Sequence, residues 1–422
     1  MGFAELLGTF GRGSRPRGGR RPRRWRGRRG RRPTLETLES RTLLDASGAI
    51  WGTAPHLTLS FAPDGTEIAG ESSELFATFD AVASEEAWQE TILRAFQTWA
   101  VHTNADIGVV DDGGQPFGTA GPTRRDDRFG DIRIGAIPMD PTGVAISIPS
   151  DGVVGGTWVG DVLINSDAGL QNLDDLFSVV LHEAGHVFGL DHSVDPLSPM
   201  YVDGISGAIE LTAGDITALQ SLFGVRAPDI NEADDGGVGR SDNNSLQNAT
   251  ELVVPQVAQL PDGSAPSIVY GDIQDTQDAD FFVIETPSGY TGPITFQLRS
   301  RGISLLAPRL TVFNADEIVV DSVDGNATGG DVVTVQVPQS LLGDKVFLQV
   351  SSAQGGLVAT GGYSLVVTFD ATLAFGPSEI DAVAGGAFRF LGPEELEKFF
   401  TGDDGDGDDE DDDPPLFGDD LH

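Results

Sequence analysis

The run His182-Glu183-Ala184-Gly185-His186-Val187-Phe188-Gly189-Leu190-Asp191-His192 constrains this chain more than any other segment. It gathers three of the six histidines of the whole sequence into one short stretch, which sets the local backbone. On a helix, residues four apart share a face, so His182 and His186 project toward one point. Gly189 can take positive φ at little steric cost and let the chain leave the helix and turn back. His192 can then bring a third imidazole to the same point. Three neutral imidazoles suit a tetrahedral zinc ion whose fourth position stays open. Glu183 follows the first of them and can act on water at such an ion without binding it.

The flanks agree with a helix that starts near Asn172. Asn172 suits an N-cap, and Asp174 and Asp175 suit the positive end of the helix dipole. Leu173, Leu176, Phe177, Val180, Ala184 and Val187 recur at helical spacing and predict a buried stripe beside the histidines. Such a stripe is the ordinary core face of an amphipathic helix, and here it also walls the site. Downstream stands Met200 in Ser198-Pro199-Met200-Tyr201. The chain has only three methionines, at 1, 139 and 200, so its position eight residues past His192 stands out. Taken alone, it reads as core filler.

Together, HExxHxxGxxH, Ser193 and Met200 resemble the matrixin group of the metzincin zinc peptidases. The resemblance implies one catalytic zinc on His182, His186 and His192, Glu183 as the catalytic general base, and Met200 in a structural turn beneath the histidines. Ala95-Phe96-Gln97-Thr98-Trp99 resembles the first matrixin helix. Gly130–Gly135 and Gly160–Asn165 alternate like strands and resemble two sheet strands of the family. Leu211–Gly224 resembles its closing helix, with Thr212 as cap and Gly224 as stop. Departures are equally plain. Residues 103–181 hold no histidine for a second, structural zinc, and without cysteine no cysteine-based latency switch can operate. Val202 stands where some relatives carry a tyrosine ligand, and the calcium repeats of the serralysin branch are missing. A Ca2+ role for Asp161, Asn165 and Asp167 competes with plain solvation of loop carboxylates.

The formal net charge of -39 hides an asymmetry. Twelve of the 26 basic residues are arginines between Arg12 and Arg32, and acidic residues dominate elsewhere. No nucleic-acid-binding motif accompanies the arginines and the rest of the chain repels phosphate, so nucleic acid is not an expected partner. Pro33-Thr-Leu-Glu-Thr-Leu-Glu-Ser-Arg-Thr-Leu-Leu44 resembles the LEPR-XLL leader of planctomycete-type bacterial surface and secreted proteins, with Ser40 in place of a proline. That implies export to the exterior or cell surface of a bacterium; the plain alternative is a disordered basic tail. Neither an apolar signal-peptide stretch nor a membrane span is evident.

Beyond Gly224 the composition changes. Residues 228–245 are rich in Asp, Asn and Gly and read as a linker. Phe281–Ile284, Ile294–Leu298, Leu310–Phe313, Val332–Val337, Val346–Val350 and Tyr363–Phe369 suit strands, and their spacing argues for a β-sandwich. Tyr270–Phe282 resembles the bacterial pre-peptidase C-terminal domain, an accessory module of secreted peptidases. A calcium role for Asp272, Asp275 and Asp280 competes there with an ordinary turn. The acidic run Asp403–Asp413 buries nothing and predicts disorder.

The expected organisation is therefore a basic disordered leader (1–47), an α+β metzincin-type domain of α/β/α layers (48–226) and a linker (227–248). An all-β sandwich (249–370) and an acidic disordered tail (371–422) follow. Two functions compete. One is a zinc endopeptidase acting on protein or peptide substrate as a monomer. The other is a surface-binding or adhesion protein with a vestigial metal site. Intact Glu183 favours the first, since a degenerate site has no use for it.

Overall fold

The computed structural model describes residues 51, 56–140, 143–148, 156–201, 210–229, 231, 243–252, 267–326 and 329–369. The leader, Val202, most of the linker and the acidic tail lie outside the described residues. Among the described residues, no helix is long and apolar enough to cross a membrane.

The first half is built on one sheet. Its elements are β1 (His56–Phe61), α1 (Leu75–Phe79), α2 (Glu85–Ala100), β2 (Asp106–Val109), β3 (Ile132–Ile137), β4 (Ala145–Ser147), β5 (Val162–Asn165), α3 (Leu173–Val187) and α4 (Ala213–Phe223). The strand order is β2-β1-β3-β5-β4. β1 runs parallel to β2 and β3, β5 runs parallel to β3, and β4 alone pairs antiparallel. β2 and β4 are thus the two edges.

α2 forms because Trp88, Ile92, Ala95, Phe96 and Trp99 recur at helical spacing, and Glu85 and Glu86 suit its first turn. These side chains join Leu57, Leu59, Ile107, Ile132, Ile134, Val162 and Ile164 of the sheet in the main core. α3 and α4 add Leu176, Val180, Ala184, Leu219 and Phe223 to that same core. The helices therefore share one face of the sheet. The expected α/β/α layering is corrected here: the other face carries a smaller cluster of Ala62, Ile68, Phe117, Ile137 and Leu163, supplied by strands and loops. Arg133 stands on that face. Its guanidinium lies 4.1 Å from the Phe117 ring centroid and 4.4 Å from that of Phe129. It also grips Asp112 through two hydrogen bonds. With both faces covered, every residue of β3 and β5 is buried, which departs from the half-exposed strands that alternation suggests.

The second half contains β6 (Ser267–Ile273), β7 (Ala279–Glu285), β8 (Pro293–Arg299), β9 (Pro308–Phe313), β10 (Val319–Asp324), β11 (Val332–Pro338), β12 (Lys345–Ser352) and β13 (Gly361–Thr368). One sheet runs β10-β9-β12-β7 and ends on the two-residue strand Thr250–Glu251; the other runs β11-β8-β13-β6. Alternate residues of both sheets, among them Phe282, Phe296, Leu310, Val335, Leu348 and Leu365, meet in a single core. Two sheets sharing one core make a β-sandwich, and all six strands read from the sequence fall within it.

Candidate metal centre

α3 opens where the sequence places its cap: the Asn172 side chain accepts from the Asp175 amide, with Asp174 and Asp175 in the first turn. It closes at Gly189, whose φ is 87°. There the Gly189 amide donates to His186 O and the Leu190 amide to Gly185 O, the paired bonds of a Schellman turn. The turn reverses the chain just after the second histidine and returns His192 toward the first two. The predicted stripe is in place, with Leu176, Val180, Ala184 and Val187 buried and Leu173 and Phe177 packed against them.

One nitrogen from each of His182, His186 and His192 lies within 4.8 Å of the others; among the described residues this is the convergent group of metal-ligating side chains. His186 Nε2 is 3.2 Å from His182 Nε2 and 3.3 Å from His192 Nε2. Four ligands on a tetrahedral zinc with bonds of about 2.0–2.1 Å stand about 3.3–3.4 Å apart, so the two spacings from His186 match that ion.

The hydrogen bonds behind the rings point the same way. His182 Nδ1 lies 2.7 Å from Pro199 O and His186 Nδ1 lies 2.8 Å from Leu190 O. A carbonyl oxygen only accepts, so each Nδ1 carries the proton, and in the neutral rings each Nε2 presents a lone pair. Two such lone pairs facing at 3.2 Å repel unless a cation lies between them. Backbone carbonyls that fix the tautomer and aim the ring are the usual support of ligating histidines. His182 is buried, whereas His186 and His192 are half-buried, so the cluster has one dry side and one side open to solvent. Glu183, next to His182 on the helix, is 7% exposed, which places a carboxylate in a partly dehydrated setting beside the triad.

Met200 is 1% exposed and lies directly under α3: a Cβ built on Gly185 would stand 2.2 Å from its Sδ. The turn that carries it is pinned at several points. Ser193 N donates to Met200 O, Met200 N donates to Ser198 Oγ, and Ser198 Oγ donates to Asp215 Oδ1. Asp215 also closes the capping box of α4 with Thr212, and Gly224 ends that helix at φ 76°, both as read from the sequence. The cap of the last helix thus anchors the turn whose Pro199 carbonyl aims His182.

Sequence reasoning passed over two further supports. Trp99 Nε1 donates to Leu181 O at 2.9 Å and Trp51 Nε1 donates to Val187 O at 2.7 Å. Two buried indoles therefore hold the backbone of α3 on either side of His182 and His186. No local pattern announces them, because their partners lie 82 and 136 residues away. Phe96 and Phe188 add an edge contact at 6.3 Å, so the aromatic pair of α2 reaches the metal helix as well as the sheet.

Among the described residues, the histidine triad is the group of three or more ligating side chains within 4.8 Å, and the residues named for calcium have other partners. Asn165 Oδ1 already accepts the Met139 and Asp167 amides, and its Nδ2 donates to Gly143 O. Asp161 is fully buried rather than solvated; burial raises its carboxyl well above the usual range, and Oδ1 accepts the Arg133 amide. In the sandwich, Asp272 binds Arg226, Asp275 caps a turn through the Gln277 and Asp278 amides, and Asp280 accepts the Tyr363 hydroxyl. Each holds backbone or a neighbouring side chain, as the plain-turn reading of Asp275 has it.

The segment around this site is similar to known peptidases. The family model described as Matrixin matches residues 98–224. Over 55 residues the chain is 46% identical to macrophage metalloelastase of Oryctolagus cuniculus, a stretch that makes up 12% of this chain and 11% of that protein. The chain thus spans about a tenth of that relative's length. Among solved structures, it aligns with the pre-peptidase C-terminal domain of a collagenase from Bacillus anthracis at 13% identity and a TM-score of 0.19. That alignment covers 24% of this chain and 87% of that one. The Yersinia pseudotuberculosis-derived mitogen aligns at 14% identity and the same TM-score of 0.19, over 25% of this chain and 87% of its own.

Proposed function

We propose that this chain is a zinc-dependent endopeptidase that hydrolyses peptide bonds in proteins. The observation that carries the reading is the convergence of three imidazoles, with His186 Nε2 at zinc-like spacing from the Nε2 of both His182 and His192 and two tautomers set by Pro199 O and Leu190 O. The match to the Matrixin family over the same segment supports it.

His182, His186 and His192 would hold the metal, and the half-buried His186 and His192 put the cluster within reach of solvent and substrate. A zinc ion bound there supplies Lewis-acid polarisation of the scissile carbonyl and makes water acidic enough to attack near neutral pH. Glu183 takes the proton from the attacking water and hands it to the leaving amine. Adjacent to His182 on α3, its carboxylate would act on water at the metal without being a ligand itself. Met200 and the turn around it keep His182 aimed. β4, the antiparallel edge strand that packs against α3, is the strand along which an extended peptide would lie. The enzyme acts as a monomer on protein substrates outside a bacterial cell, a setting drawn from the leader-like segment at Pro33–Leu44.

Zinc analysis combined with cleavage of a mixed peptide library tests the reading. Metal-loaded protein should cleave, chelated protein should not, and zinc should restore cleavage. A protein that takes up one zinc on the three histidines yet cleaves no peptide in the library would refute it.

A further inference from the structure

The two halves meet along the β2 edge, far from β4. β2 is an outer strand, yet its flank is covered. A Cβ built on Gly108 would stand 2.3 Å from Gly302 C and 2.6 Å from Ile303 N, so the backbone of the 300–303 turn sits directly on the strand. A Cβ on Gly362 would lie 3.1 Å from Asp106 Oδ2. Leu305, a residue of the second half, belongs to the core of the first, and Val358 packs against it.

Polar contacts bind the same seam. Arg226, three residues past α4, has a side chain only 7% exposed. Its Nη2 donates to Asp106 Oδ1 of β2 at 2.9 Å, its Nε to Asp272 Oδ1 of β6 at 2.9 Å, and its Nη1 to Thr103 O at 3.1 Å. One guanidinium is thereby shared between the sheet edge, the turn after α2 and the sandwich. Arg suits this role because its planar fork meets several acceptors at once. On α2, Gln97 is 2% exposed and donates Nε2 to Leu357 O at 2.9 Å and to Thr360 O at 3.3 Å.

α2 is also the helix that carries Phe96 and Trp99, which touch Phe188 and hold Leu181 O. Contacts therefore run unbroken from the sandwich through Gln97 and α2 to the backbone of the metal helix. Among the described residues, the sandwich contacts lie on the α2–β2 side.

From this we infer that the β-sandwich is a fixed structural half of the unit that holds the histidine triad, docked on the β2 edge and bracing α3 through α2, rather than a tethered accessory. The inference goes beyond the peptidase reading, since it concerns folding and holds whether or not peptides are cleaved.

Intrinsic fluorescence separates the halves. All five tryptophans precede residue 159, whereas three of the four tyrosines lie in the sandwich. The full-length chain should lose tryptophan fluorescence and sandwich circular dichroism in one coincident thermal transition. Gly108→Ala, which wedges a methyl against the Gly302 backbone, should lower or split that transition. Gln97→Ala, milder and able to fold, should lower the tryptophan transition and speed zinc loss to a chelator by about two- to tenfold, the range one net hydrogen bond spans. Arg309→Ala, which removes an exposed ion pair between β9 and Asp324 of the edge strand β10, serves as the control and should change neither. Two separate transitions in the parent chain, with the tryptophan signal unmoved by both Gly108→Ala and Gln97→Ala, would overturn the inference. The tryptophan readout needs no metal, so failure of the zinc reading leaves it intact.

Discussion

Replacing Gly185 by alanine puts two opposing effects on one atom. In a helix interior alanine is favoured over glycine by about 1 kcal/mol, so an unobstructed site would gain stability. Here the new Cβ would stand 2.2 Å from Met200 Sδ, 3.0 Å from Met200 Cε and 3.0 Å from Trp99 Cζ2. The Met200 thioether is the flexible end of its side chain, but at 1% exposure it has little free space to swing into. Met200 has its backbone amide and carbonyl bonded to Ser198 and Ser193, and the Trp99 indole is tied to Leu181 O. Overpacking of a tight core costs about 1–3 kcal/mol, and pinned neighbours argue for the upper end. Subtracting the helical gain leaves Gly185→Ala destabilised by about 2 kcal/mol. Met200→Ala alone should cost about 2–5 kcal/mol as a buried cavity, but in the double variant the new methyl takes part of the vacated space. The pair should therefore cost less than the sum of the singles by about 1 kcal/mol or more. Urea unfolding of the zinc-loaded chain followed by tryptophan fluorescence measures the cycle. A more stable Gly185→Ala, or costs that simply add, would show that Met200 does not press on α3 as described.

Glu183→Gln should retain the fold and the metal while peptide hydrolysis falls on the order of a hundredfold or more, measured as kcat/KM on one short peptide. Elemental analysis should find about one zinc per chain, falling to none in a triple His182→Ala, His186→Ala, His192→Ala variant. Asn172→Ala removes the side-chain cap of α3 and should cost about 1 kcal/mol in unfolding, with kcat nearly unchanged because the cap lies at the far end of the helix from His186. Trp51→Phe keeps the aromatic bulk but leaves Val187 O without its indole partner, and should cost about 1–3 kcal/mol and weaken zinc retention in a chelator competition.

The parts of this molecule that could be read in advance are those whose cause is local. Asn172, Gly189, Thr212 and Gly224 act on backbone within a few residues, so caps and turns were visible in the chain itself. The sandwich strands with one buried face announced themselves by alternation. β10 did not: four of the six residues of Val319–Asp324 are exposed and only Val320 and Val323 are half-buried, so this edge strand carries a weak apolar signature. The layer order of the first sheet was also missed. Arg133, Gly135 and Ile137 face loops rather than a helix, and nothing in a strand's own sequence says what will cover it. The acceptors of Arg226 escaped notice for the same reason, because Asp106 and Asp272 come from different halves of the chain.

The metal centre divides along that line. Its three imidazoles and its glutamate are written into one short motif, but what makes them a site is not. His182 is aimed by a carbonyl from the Met200 turn, and that turn is fastened by the cap of α4. α3 itself is held by indoles from Trp51 and Trp99. A helix bearing the motif alone could present His182 and His186 side by side, since their spacing needs only a helix. It could not fix the His182 tautomer, because Pro199 O arrives only once the chain has turned past His192 and closed on α4. On the proposed reading, metal affinity is bound up with the folding of residues 188–201 and of α4, and a metal held by all three rings would favour that closed arrangement.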